Sequence, residues 1–185
     1  MTFDDGPVPG PTEFVLDTLK GFDAKATFFC IGENIRKHPS VFKKIVEANH
    51  AVGNHTYNHL NGWKTNAVEY QRNVLLCQDE IQKFKLSANN ATTPAIFRPP
   101  YGRITRDQVR RLSENKIVMW DVLSVDYNKN ITPEKCLKNT IQASRKGSIV
   151  VFHDSYKAER NLNFVLPRLM DHFFSQGWSF KSIPS

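Results

Sequence analysis

Two adjacent carboxylates, Asp4 and Asp5, stand near the start of the chain and are followed by Gly6 and Pro7. Neighbouring residues at a strand end send their side chains to different sides, so one carboxylate can hold a cation while the other takes a proton. Asp-Asp-Gly-Pro by itself is also an ordinary turn sequence. Downstream, His55 and His59 are four apart in His-Thr-Tyr-Asn-His, a spacing that sets both imidazoles on one face if the segment turns helical after Gly53. Such a pair can bind zinc, or it can cap and decorate a surface; the pentapeptide alone leaves both open. The zinc proteases carry Glu as base in His-Glu-x-x-His, and Thr56 occupies that position here, so any base must come from elsewhere.

One Asp with the two histidines makes a His-His-Asp set, which leaves a fourth tetrahedral position for water, as catalytic zinc sites do. A cation there would acidify water and polarise a carbonyl oxygen, the needs of amide or ester hydrolysis. A base for the water and an acid for the leaving group are then required. His153, at the end of Ser-Ile-Val-Val-Phe, is the candidate acid, and Asp126 is the carboxylate that would favour its charged imidazolium. Arg98 would hold Asp4 ionised and fix its rotamer. Both pairs could equally be plain surface ion pairs, which contribute little.

These groups all follow apolar runs, and a (β/α) barrel carries its reactive residues at the C-terminal ends of its strands. Strands are expected at residues 1–3, 26–31, 50–54, 95–97, 116–123, 147–152 and 178–181. Helices are expected at 11–20, 40–48 after a Ser cap, 66–84, 105–113, 132–144 and 162–176, the third with Val68, Leu75, Leu76, Ile81 and Phe84 as one stripe. Thr132 is a good N-cap with Pro133 at the first helical position. Strand and helix alternate without an internal repeat or linker, which predicts one α/β domain over residues 1–185, a distorted (β/α) barrel of about seven parallel strands. An open doubly wound sheet is the competitor, and its Gly-rich fingerprint is missing.

Composition narrows the class. Of 185 residues, 40% are hydrophobic and 23% charged, including 13 Phe and 3 Trp, enough for a packed core rather than a disordered chain. The net charge of +7 is spread without an arginine-rich block or nucleic-acid motif, which excludes a nucleic-acid partner and leaves a mild attraction to anionic polymers. No apolar run approaches the ~20 residues that cross a bilayer, and no signal-peptide pattern is present. The chain opens inside a motif, so a first strand truncated upstream is expected. Cys30, Cys77 and Cys136 are odd in number and widely spaced, the pattern of buried fillers rather than of a disulfide framework.

Taken in order, Thr2-Phe3-Asp4-Asp5-Gly6-Pro7, His55-Thr-Tyr-Asn-His59, Arg98-Pro99-Pro100-Tyr101-Gly102, Asp126-Tyr127 and Val151-Phe152-His153 resemble the five motifs of the polysaccharide deacetylases, or NodB-like carbohydrate esterases. That resemblance implies a metal-dependent hydrolase that removes acetyl groups from an N-acetylglucosamine polymer such as peptidoglycan or chitooligosaccharide, or from O-acetylated xylan. It makes Asp4 the base, Asp5, His55 and His59 the ligands of a divalent metal, zinc by preference, and His153 the acid. Arg98 would tune the base, Asp126 the acid, and the Tyr101 backbone N–H would serve the oxyanion. Tyr101, Tyr57 and Trp63 are expected to meet sugar rings, and Trp120 to lie in the core. A monomer is expected, and the resemblance further implies action on an acetylated saccharide outside the cytoplasm. The fourth motif departs from the family, with Leu123 at its first Asp position and Tyr127 at its Trp; the fifth has Val151 for Leu. These changes bear on substrate fit rather than on the ionisable groups. Hydrolysis of a small-molecule amide and a non-catalytic glycan-binding module are the other readings of the same barrel.

Overall fold

The computed structural model describes residues 1–85 and 95–184. Seven short strands, β1 (Thr2–Asp4), β2 (Thr27–Cys30), β3 (Ala51–Asn54), β4 (Ile96–Phe97), β5 (Lys116–Ile117), β6 (Val122–Leu123) and β7 (Val150–His153), pair in parallel. Their order is β5-β4-β3-β2-β1-β7-β6. Helices α1 (Pro11–Gly21), α2 (Gly32–Lys37), α3 (Pro39–Glu47), α4 (Ala67–Lys85), α5 (Arg106–Arg111), α6 (Pro133–Ala143) and α7 (Glu159–Phe174) supply the crossovers that parallel strands need. The result is the distorted (β/α) barrel, curled but not closed, because β5 and β6 are its two edges. No helix among the described residues is long and apolar enough to cross a membrane.

β1 sits between β2 and β7, its three residues laddered to Thr27–Phe29 on one side and to Val151–His153 on the other. Side chains alternate across such a strand. Phe3 therefore joins Phe28 and Phe152, at centroid distances of 5.2 and 6.2 Å, in the core with α1 and α7, while Thr2 and Asp4 face the barrel interior and meet Arg98.

The run expected as one strand at 116–123 is two. Its middle leaves one sheet edge and rejoins at the other, with the Asp121 carboxylate accepting from the Ile149 N–H at 2.8 Å. Nothing at 178–181 is a strand. That tail crosses the floor of the barrel, where the Phe180 carbonyl accepts from the Lys25 N–H and the Ile183 N–H donates to Thr27 Oγ1. Ser40 is not a cap either, since Pro39 starts α3 at its first position behind His38. The six-residue α2 has no side-chain cap to announce it.

The buried stripe of α4 is Tyr70, Val74, Cys77 and Ile81, whereas Val68 and Leu75 are 61% and 55% exposed. Helical period permits either stripe. The choice is made by Asn73, a nearly buried polar side chain that bonds the loop after β3 and so fixes which face turns inward. Truncating Ile81 to Ala should cost roughly 2–5 kcal/mol, and Leu75→Ala no more than about 0.5, measured by urea unfolding. Equal losses would contradict this orientation of α4.

Candidate active site

The reactive residues gather at the C-terminal mouth of the barrel because the parallel register aligns the strand ends. Asp4 is the Cα partner of His153 across β1 and β7, and Asn54 is that of Phe97, so His55 and Arg98 follow at one level. Asp4 Oδ1 accepts from Arg98 Nη1 at 2.7 Å. The guanidinium is fully buried, so this pair is not the surface contact that the sequence alone left open.

Beyond Asp4 the chain turns at Asp5, whose φ is 82°. Asn34 donates to the Asp5 carbonyl at 2.7 Å, and the Gly6 N–H donates to the buried carboxyl of Asp154 at 3.0 Å. A Cβ at position 6 would lie 2.0 Å from that carboxyl, so the Gly here is a matter of space. Burial pushes Asp154 up to about 8, against the hydrogen bonds from Thr12 and Gly6.

His55 and His59 come together, with ring centroids 5.1 Å apart, but not through the helical turn their spacing predicts. Thr56 and His59 adopt φ of 63° and 55°. Side chains substitute for helix hydrogen bonds: Asn54 Oδ1 accepts from the Thr56 N–H, and Asn73 Oδ1 accepts from the N–H groups of Tyr57 and Asn58.

His55 Nδ1 lies 2.8 Å from the Arg98 carbonyl oxygen, a contact that requires the proton on Nδ1 and leaves Nε2 with a free lone pair. Burial lowers His55 to about 4, outweighing Asp4 and Asp5, so the ring is neutral at pH 7. His59 Nδ1 lies 3.1 Å from the Tyr101 hydroxyl. Both Nε2 atoms face Asp5 Oδ1, at 3.7 Å from His55 and 3.2 Å from His59. That oxygen is buried and has no hydrogen-bond partner. An orphaned carboxylate oxygen beside the Nε2 atoms of two imidazoles fits a divalent cation, and the three ligand atoms lie within 4.8 Å of one another.

Across the mouth, Asp126 holds His153 twice, accepting its backbone N–H at 2.8 Å and meeting Nδ1 at 2.7 Å. Asn161 donates to the Asp126 carbonyl at 2.8 Å, behind the strained φ of 61° at Val125. Burial disfavours the imidazolium, but the charge and hydrogen bond of Asp126, with help from Asp5 and Asp4, push His153 up to about 9. Tyr101 has a φ of 61°, and its N–H has no acceptor among the described residues.

Asp4, Asp5, His55, His59, Tyr101 and His153 border one cavity of about 820 Å³, and Arg98 and Asp126 stand behind its wall. Trp120 borders it too, and the expectation of a core position was wrong because the chain there is crossing between sheet edges; a Cβ at Gly102 would strike its ring at 2.7 Å. Tyr57 is absent from the wall, since its ring packs over Gly32 on α2. Trp63 is 66% exposed, outside the wall but against Arg103. The supports Asn54, Asn73, Asp154 and Asn161 were not anticipated. Asn73 alone carried a signal, as a polar residue interrupting an apolar helix face.

A family profile described as "Polysaccharide deacetylase" matches residues 1–120. A peptidoglycan-N-acetylglucosamine deacetylase of Bacillus cereus is 35% identical over all of this chain, which covers 66% of that protein. The corresponding enzyme PgdA of Listeria monocytogenes is 33% identical over 99% of the chain, which spans 37% of its length. The solved Bc1960 peptidoglycan N-acetylglucosamine deacetylase superposes with a TM-score of 0.88 at 32% identity, over 99% of this chain and 84% of that one. With a profile spanning well over half of it and likeness extending from end to end, this chain belongs to the polysaccharide deacetylase family.

Proposed function

We propose that the chain removes acetyl groups hydrolytically from an N-acetylglucosamine-containing glycan, such as peptidoglycan or a chitooligosaccharide. The observation that supports this is one cavity bordered by the Asp4 carboxylate, the Asp126-held His153 imidazole and the clustered ligand atoms of Asp5, His55 and His59. Residues 1–185 would act as one catalytic domain. Asp5, His55 and His59 would hold the cation, zinc by the nature of the donors. The chemistry supplied there, once a cation is bound, is polarisation of the acetyl carbonyl and acidification of water.

Asp4 would take the proton of the attacking water, and its 2.7 Å bond from Arg98 holds that carboxylate in one rotamer. As water adds to the acetyl carbon, the free Tyr101 N–H can donate to the developing oxyanion. Collapse breaks the carbon–nitrogen bond, with His153 delivering a proton to the departing amine; acetate and a free amino sugar result. An ester oxygen could leave by the same route, so the set does not exclude O-acetyl groups. A purely glycan-binding role gives no reason to bury Arg98 behind Asp4 or to fasten His153 twice.

Acetate release from chitooligosaccharides, peptidoglycan and acetylated xylan should be chelator-sensitive; release from none at full metal occupancy would overturn the proposal. Asp4→Asn and His153→Ala should each lower kcat by roughly 10²–10⁴-fold. His55→Ala should instead lose the metal, and a variant retaining one full equivalent by elemental analysis would refute the ligand assignment. Because the acid must be protonated, kcat/KM should fall as pH rises through about 9. Asp126→Asn should move that alkaline limb downward, towards the ordinary histidine value; an unmoved limb would remove Asp126 from the role.

A further inference from the structure

The wall of the cavity carries three cations outside the machinery just described. Lys64 follows β3, Arg103 follows β4 and Lys157 follows β7. In the strand order these loops fall on both sides of β1, so the cations flank Asp4 and Asp5 rather than cluster at one end. Four lysines elsewhere among the described residues, Lys37, Lys43, Lys44 and Lys83, pair with Glu33, Glu47, Glu13 and Glu80. None of the three at the mouth pairs with a carboxylate among the described residues.

Two of them are steadied without being neutralised. Arg103 lies over the Trp63 ring at 4.8 Å and Lys157 over the Tyr127 ring at 5.1 Å, contacts that fix a cation yet leave its charge available. The cavity's own carboxylates do not balance them, since Asp4 is bonded to Arg98 and Asp5 faces two imidazoles. A glycan strand lying across the mouth, with an acetyl group over Asp4, would therefore run past positive charge on each side.

We propose that Lys64, Arg103 and Lys157 select an anionic glycan, one whose sugars near the scissile acetyl group bear carboxylate or phosphate substituents, over a neutral strand of equal length. The inference rests on the deacetylase reading for the strand's path. It is independent of turnover, because it concerns binding. The aromatic partners Trp63 and Tyr127 would then present their rings beside the same sugars, so that each cation and its ring act on one subsite.

The test measures affinity of the metal-loaded chain, by calorimetry, for three N-acetylated oligosaccharides of equal length: neutral, carboxylated and phosphorylated. The charged ligands should bind about tenfold more tightly at low salt, and the advantage should shrink at physiological ionic strength. In the triple variant K64Q/R103Q/K157Q the affinity ratio should fall towards one. A matched variant at the barrel floor, K20Q/K146Q/K181Q, makes the same change in net charge and should keep the preference. A preference for one charged ligand over the other identifies the substituent. Equal affinity for neutral and charged ligands, or an equal loss of preference in the floor variant, overturns the proposal. Acetate release is scored in parallel: preferential binding without turnover leaves this inference standing and removes the deacetylase reading instead.

Discussion

A guanidinium taken wholly out of water is the constraint around which this barrel is arranged. Burying a charge is costly unless every donor is used and the charge is met. Arg98 comes close to that condition with four of its five N–H groups, donating to the Val118 and Met119 carbonyls, to Thr2 Oγ1 and to Asp4, with its Cζ 4.0 Å from the Phe29 ring centroid. The carbonyls belong to the segment that joins the two sheet edges, so a polar side chain spans the opening where strand pairing is absent. Thr2 in turn donates to Val150 on β7. Through its main chain, Arg98 donates its N–H to the Asn54 carbonyl, and its own carbonyl accepts from His55 Nδ1. The tie to the segment between the two sheet edges, the rotamer of Asp4 and the tautomer of His55 are thus one structural problem with one solution.

Around this fixed centre the backbone is held in conformations it would not choose. Asp5, Thr56, His59, Tyr101 and Val125 all have positive φ, and each either is a reactive residue or adjoins one. For Thr and Val, branched at Cβ, this is costly. Such strain survives only where surroundings over-determine it. Here the restraint comes from buried amides and a carboxyl, Asn54, Asn73, Asn161 and Asp154, that occupy backbone groups which regular structure would have satisfied.

The alternation of strands and helices was legible because buried parallel strands read as short Val, Ile and Phe runs, and the gathering of Asp4, Asp5, His55, His59 and His153 at one mouth was legible because each lies just past such a run. What escaped was decided by tertiary contacts. The imidazoles of His55 and His59 meet at the expected spacing without the expected helix, because side-chain amides hold a turn that propensity disfavours. Trp120 looked like core because the apolar run around it gives no sign that the chain is crossing an opening. Tyr57 lies between two reactive histidines in sequence, yet the strained residue before it directs its ring towards α2. On α4, two apolar stripes compete, and only knowing what Asn73 bonds to separates them.

The tail that runs beneath the sheet has a consequence for architecture. Met1 accepts from Thr27 at the entry to β2, while Ile183 packs against Phe29, Ile96 and Val118, and Lys116 reaches the Pro184 carbonyl. Both termini of the described chain therefore emerge underneath, at the opposite end of the strands from the cavity that Asp4 and His153 border. Anything fused to either end, whether a tether, an affinity tag or an additional module, would hang below the barrel, away from the mouth of the cavity.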